Sequence, residues 1–184
     1  MERGIQAAES RAGMGRLLIA AVDNPDLVTA DPQAFFRAIE QAGYTYSPAI
    51  SDYTFQELRY DGKIGIIRDA ELRWALTRYY KLIENYSQWG YRREHFQNTY
   101  DDRKLGILTP EQSSKLEPYD ANAVFTRDEA LEALARLNAR PGFIEQIYRA
   151  SNHGQAISTY ADWRDAAEQL RERIGLAIGH QDQS

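Results

Sequence analysis

The fold of this chain is decided by Tyr53–Tyr80, which reads YTFQELRYDGKIGIIRDAELRWALTRYY. The stretch predicts a short helix, a turn punctuated by Gly62 and Gly65, and a long second helix. Asp69 precedes the second helix at the N-cap position, where a carboxylate accepts free backbone N–H groups. We expect three apolar residues of the turn to plug the corner between the two helices: Ile64, Ile66 and Ile67.

The same stretch resembles a family of uncharacterised bacterial proteins. The shared pattern is an aromatic residue, then E-L-x-x-x-G-x-(I/L)-x-(I/L)-I-R-(D/N)-x-E-L-R, here Glu57 to Arg73, then two tyrosines. Proteins of that family have one N-terminal membrane-spanning helix and a helical domain outside the cytoplasm, with no established activity. The resemblance implies a periplasmic or other extracytoplasmic domain, anchored by a segment upstream of this chain. It supplies no catalytic or binding residues.

Composition excludes several function classes. The net charge is −5 and the isoelectric point is about 5.3, which argues against a nucleic-acid groove. No cysteine is present, so disulfides, thiol nucleophiles and Cys-ligated zinc are excluded. The longest aliphatic run, Leu17–Val22, is far shorter than the roughly 20 residues of a membrane span, and no signal peptide is visible. A cytoplasmic protein is the alternative to the anchored domain.

Two long helices are predicted, over about 69–104 and 141–178. Each carries a stripe spaced alternately by three and four residues, as helices in a bundle require. The first stripe is Ala75, Tyr79, Leu82, Tyr86, Trp89, Arg93, Phe96 and Tyr100. The second is His153, Ala156, Tyr160, Trp163, Ala167, Leu170, Ile174 and Ala177.

No strand pattern competes with these helices, and the fold class is therefore predicted to be all-α. We expect an antiparallel helical bundle built on the two long helices, with shorter helices packed on it. Capping boxes at Thr109–Gln112 and Thr126–Glu129 start two of the shorter helices. The chain is expected to form a single helical domain, 1–184, with a disordered tail over 179–184.

Two polar residues, Arg93 and His153, interrupt the apolar stripes. One interpretation places them in a small-molecule site for an anion, walled by Tyr79, Trp89 and Tyr160, because aromatic walls with few polar groups are typical of such pockets. The structural interpretation gives Arg93 a position at the rim of the bundle. It gives His153 a backbone carbonyl as partner.

Charged residues of the Tyr53–Tyr80 stretch also have two interpretations. In the functional interpretation, a charged surface for a partner is formed by Glu57, Arg68, Asp69 and Arg73. In the structural version Glu57 pairs with Arg68 or Arg73, and Asp69 caps the long helix. No metal-binding pattern is present, since Glu-x-x-His pairs and H-E-x-x-H are absent, and no cofactor is expected.

The amino-acid sequence leaves three functions open. The first is a non-enzymatic extracytoplasmic domain that acts through an unknown protein partner or as a sensor. The second is a soluble helical bundle that binds a small anion. The third is a hydrolase. Its site is unrecognised because no carboxylate is paired with a second catalytic group at an interpretable spacing. Each of these three functions is compatible with a homodimer.

Overall fold

The computed structural model describes residues 2–44, 52–116, 124–152 and 154–181. These residues contain helices and no strand, which confirms the all-α fold class. The chain divides into two compact units. The first unit is Met1–Ile5, Ser47–Tyr91 and Ala156–Ser184, and the second unit is Gln6–Tyr46 and Arg92–Gln155. The single domain over 1–184 stays a prediction.

Ten α-helices are present in the described residues. They are α1 (Glu2–Asp23), α2 (Asp26–Ala30), α3 (Pro32–Gln41), α4 (Tyr53–Tyr60), α5 (Ala70–Gln88), α6 (Gly90–Lys104), α7 (Pro110–Leu116), α8 (Arg127–Asn138), α9 (Pro141–Ser151) and α10 (Gly154–Gln181). A short 3₁₀ turn, Lys63–Ile66, lies between α4 and α5.

Each predicted long helix is interrupted once. The first stops at Trp89, whose backbone N–H donates to the Tyr86 carbonyl at 3.2 Å, three residues back, and Gly90 begins α6. That bond tightens the last turn into 3₁₀ geometry, which ends the regular α-helical ladder. The second stops at Asn152, whose φ of −97° and ψ of 72° are not helical.

The disordered tail over 179–184 stays a prediction, and the last helix overlaps its first residues. The backbone of α10 stays helical through Gln181, beyond Gly179, where the sequence predicts disorder. One glycine costs a helix only about 1 kcal/mol relative to alanine, which the good helix formers before it offset. Residues 182–184 lie outside the described part of the chain.

The second unit is organised around buried aromatic rings. Phe36 stacks on Phe125 with ring centroids 3.9 Å apart, and Tyr100 contacts Phe143 at 5.1 Å. The Tyr100 hydroxyl donates to the Ile39 carbonyl at 3.0 Å. Gly43 lies so close to the Tyr100 ring that a Cβ there would overlap it. This unit therefore has the close packing of a stable core.

Both predicted capping boxes are present in the second unit. The Gln112 backbone N–H donates to Thr109 Oγ1 at 3.1 Å, and the Thr109 N–H donates to Gln112 Oε1 at 3.0 Å. Thr126 and Glu129 make the same reciprocal pair at the start of α8, at 3.1 and 2.7 Å. Lys115 also donates to Glu129 at 2.7 Å, so this carboxylate joins α7 to α8.

Removing the Glu129 charge is expected to make stability less sensitive to acid. The hydrogen bond from Lys115, followed by that from the Thr126 N–H, lowers the pKa of Glu129 from its ordinary value. A lowered pKa gives stability that is present above the unfolded-state pKa, about 4.3, and is lost as the pH falls through the folded-state pKa. Urea unfolding should place Glu129→Gln about 1 kcal/mol below the wild type at pH 7.

The difference between the two proteins should shrink as the pH falls below about 4. Glutamine keeps the length of glutamate and one of its two acceptor oxygens, so the variant removes the charge together with one of the two bonds from Lys115 and Thr126. A difference that stayed constant from pH 7 to pH 3 would refute the role of the ionised carboxylate.

Candidate functional site

The first unit is built on an antiparallel pair of helices, α5 and α10. Glu71 near the start of α5 forms an ion pair with Arg173 near the end of α10. Farther along, Arg78 Nη1 donates to Gln169 Oε1 at 2.9 Å. At the other end of the pair, the hydroxyls of Tyr86 and Tyr160 lie 2.7 Å apart. Residue numbers thus rise on α5 as they fall on α10, the antiparallel arrangement that the two stripes predict.

An aromatic cluster fills the space between these two helices. Trp163 is 1% exposed, and its ring lies 5.5 Å from that of Tyr86 and 6.5 Å from that of Tyr79, between ring centroids. Tyr160 is 3% exposed and packs against Tyr86 at 5.6 Å. Within the described part of the chain, Trp163 Nε1 has no hydrogen-bond partner. The rings contact one another, as in a packed core.

The residues of the predicted anion site fall in different places. Tyr79 and Tyr160 both belong to the aromatic cluster of the first unit. Trp89 is 43% exposed, so its expected place on the inner stripe is wrong, because α5 ends there. Arg93 is half-buried and belongs to the second unit, and His153 lies outside the described residues. The anion site itself stays a prediction.

The corner between α4 and α5 is closed by backbone contacts. The Asp69 carboxylate accepts the N–H groups of Glu71 and Leu72 at 2.9 and 3.1 Å, which confirms the predicted N-cap. The Arg73 guanidinium donates to the carbonyls of Ile67 and Arg68. Gly62 adopts a φ of +67°, a conformation that glycine reaches without strain.

Two expectations for this corner are wrong. Among the described residues Glu57 makes no ion pair with Arg68 or Arg73, because the Arg73 guanidinium bonds to main-chain carbonyls instead. Ile66 is 72% exposed and is therefore no part of a buried plug. A 3₁₀ turn has three residues per turn, so Ile64 and Ile67 share its half-buried face and Ile66 projects elsewhere.

A groove between α5 and α10 was not predicted. Its volume is about 500 Å³, and it is lined by Ala70, Glu71, Trp74, Ala75, Gln169, Glu172 and Arg173. Trp74 is 61% exposed, and the Arg78 guanidinium lies 5.4 Å from the centre of its ring. The sequence carried one signal for this groove: Trp74 is a large apolar residue beside the inner stripe rather than on it. We call this surface the Trp74 groove.

The chemistry of the Trp74 groove is that of a contact surface. Its charged groups are exposed, and Glu71 and Arg173 pair with each other. No described group of three or more His, Asp or Glu side chains could hold a metal ion. The groove therefore offers an aromatic face, an arginine stacked on it and an ion pair at its edge, which together suit the binding of a polypeptide.

Comparisons with known proteins return no relatives. No model of a known protein family matches this chain, and no curated protein or solved structure does either. Within the ranges that the structure describes, none of the helices combines the length and apolarity needed to cross a bilayer.

Proposed function

We propose that this chain is a non-enzymatic interaction module that binds a helical segment of another protein in the Trp74 groove. The observation that carries the proposal is Trp74 itself, a tryptophan 61% exposed beside the buried Ala75 on α5. The resemblance of Tyr53–Tyr80 to the anchored bacterial family supports an extracytoplasmic setting for this module. If the chain acts as a sensor, it would do so through the same contact with a partner protein.

The composition of the groove is that of a binding hot spot. Tryptophan and arginine dominate the residues whose truncation weakens protein complexes most. Here Arg78 stacks over Trp74 and is held by Gln169, so both side chains are oriented before any partner arrives. Such pre-organisation lowers the entropy lost on binding. The groove is thus prepared for an apolar anchor flanked by polar contacts.

A helix is the partner element that fits this surface. Two antiparallel helices leave a groove between them, into which a third amphipathic helix can pack. The apolar surface continues past Arg173 at Leu176, which is 56% exposed and lies one turn beyond Glu172 on the groove face of α10. A partner helix with anchors at i, i+3 or i+4, and i+7 would cover both the groove and this extension.

The other two functions have less support from the described residues. The aromatic walls expected for the anion site, Tyr79 and Tyr160, are occupied by contacts with Tyr86 and Trp163. For a hydrolase, the lowered pKa of Glu129 is explained by its capping role at α8 and by its bond to Lys115. Both observations favour a contact surface over an enclosed site.

Site-specific crosslinking in the native cells tests the proposal. A photoreactive benzoylphenylalanine at position 74 should crosslink to a partner, and Arg173→Glu should abolish the crosslink, because it breaks the ion pair with Glu71 and makes the groove more negative. The same probe at Tyr148, 58% exposed in the second unit, is the matched control.

Once the partner is identified, Trp74→Ala should weaken binding by about 30-fold, as for a hot spot worth about 2 kcal/mol. Identical crosslinks from positions 74 and 148 would rule out a specific groove.

A thermal-shift screen against metabolites separates this function from the anion site. A ligand at a hundred times its dissociation constant adds about 2.7 kcal/mol of stability. The informative result is an anion that stabilises the wild type and Trp74→Ala but does not stabilise Arg93→Ala or His153→Ala. That result would favour the anion-binding function over the interaction module.

A further inference from the structure

An exposed basic and apolar tip lies at the turn between α4 and α5. Tyr60 is 84% exposed and Ile66 is 72% exposed, the largest exposed fractions among the large apolar residues in this part of the chain. Gly62 and Gly65 lie between them, and a Cβ on either would meet no atom within 4 Å. We call residues 59–68 the basic tip. Most of its residues are exposed, and the space beside the two glycines is open, so the tip lacks the walls that a pocket for a side chain would have.

The charge of the basic tip is opposite to that of the whole chain. It contains Arg59, Lys63 and Arg68 against a single acid, Asp61, a formal charge of +2 in a chain of net charge −5. Lys63 bonds to Asp61 at 2.7 Å. In the described part of the chain Arg59 and Arg68 make no ion pair, so two guanidinium groups are available to an external anion.

We propose that the basic tip binds the surface of an anionic phospholipid bilayer. Tyrosine and aliphatic side chains enter the boundary between headgroups and acyl chains, while arginine and lysine stay at the phosphates. Tyr60 and Ile66 supply the first kind of group, and Arg59, Lys63 and Arg68 supply the second. This contact lies on the surface of the bilayer and needs no spanning helix.

Three observations favour a lipid surface over an acidic protein. The apolar groups Tyr60 and Ile66 are largely exposed, whereas protein hot spots occupy packed pockets. A Cβ on Gly65, the residue before Ile66, would meet no atom within 4 Å, so no wall of neighbouring atoms lies there. Without such a wall this surface does not select a partner of a particular shape, and binding to a bilayer does not require it to. Arg59 and Arg68 match a surface of many phosphates, each basic residue adding about 1 kcal/mol of attraction. The tip uses none of the side chains that line the Trp74 groove, so either proposal can fail alone.

Vesicle sedimentation tests the lipid contact with the full chain. The protein should bind vesicles of equal phosphatidylglycerol and phosphatidylcholine, and should not bind pure phosphatidylcholine. Arg59→Ala with Arg68→Ala should weaken partitioning roughly 25-fold, about fivefold for each arginine. High salt should weaken it as well, because exposed charges are screened. Arg127→Ala with Leu131→Ser, at exposed positions of α8, is the matched control and should bind like the wild type.

A fluorescent label reports whether the tip enters the bilayer. The chain has no cysteine, so Ile66→Cys gives a single site for an environment-sensitive dye. Its emission should shift to the blue with anionic vesicles, whereas the same dye at Leu131→Cys should not shift. Binding that is equal in the arginine variant and the wild type would overturn the proposal. So would an absence of vesicle binding, or an arginine-dependent contact with an acidic protein in its place.

Discussion

Tyr100→Ala is expected to lower the free energy of unfolding by about 3–5 kcal/mol, the range found for aromatic residues truncated in a core. Tyr100 is 1% exposed, packs against Phe143 and donates its hydroxyl to the Ile39 carbonyl. Burial raises the pKa of this tyrosine well above its ordinary value, so the hydroxyl stays protonated and keeps donating. Truncation removes the ring and the bond together, and it leaves a cavity beside Gly43.

Urea unfolding followed by far-UV circular dichroism measures this loss. Tyr100→Phe is the control, because it keeps the ring and removes only the hydroxyl. Its expected cost is about 1 kcal/mol, that of one buried hydrogen bond. Equal losses in the two variants would mean that the hydroxyl, and not the packed ring, holds this core together.

Trp163→Ala is expected to cost a similar amount, about 3–5 kcal/mol. Trp163 is buried between α5 and α10 and contacts both Tyr79 and Tyr86, so its removal takes the centre out of the aromatic cluster. All three tryptophans of the chain belong to the first unit. The fluorescence of Trp74 and Trp89 therefore still reports the unfolding of that unit in the variant.

Trp163→Phe separates ring packing from the indole N–H. Since Nε1 has no partner among the described residues, phenylalanine loses no hydrogen bond and should cost only about 1–2 kcal/mol. A phenylalanine variant as unstable as the alanine variant would show that Nε1 makes a bond in solution. The two Trp163 variants also give the unfolding free energies with which the surface variants of the crosslinking and vesicle experiments are compared. Those surface substitutions should leave the unfolding free energy nearly unchanged.

Helix starts were predicted from short stretches of sequence. Asp69 and Thr126 cap their helices as expected, because an N-cap depends on a side chain and the backbone two or three residues away. The interruption at Trp89 was missed, since the alternation of three and four continues through it without a break in the pattern. The sequence there is compatible with a continuous helix, and only the main-chain geometry ends it.

The sequence alone determined the all-α class, the capped helix starts and the two stripes that bring Tyr86, Tyr160 and Trp163 together, because these follow from local bonding and periodicity. The tertiary structure alone decided which apolar residues stay exposed. Ile66 and Trp74 have the composition of core residues, and both are exposed because no described element covers them. Burial depends on neighbours distant in the chain. The position of Trp74 beside the inner stripe and the charges of residues 59–68 were visible in the sequence, but the groove itself and the exposure of the basic tip were not.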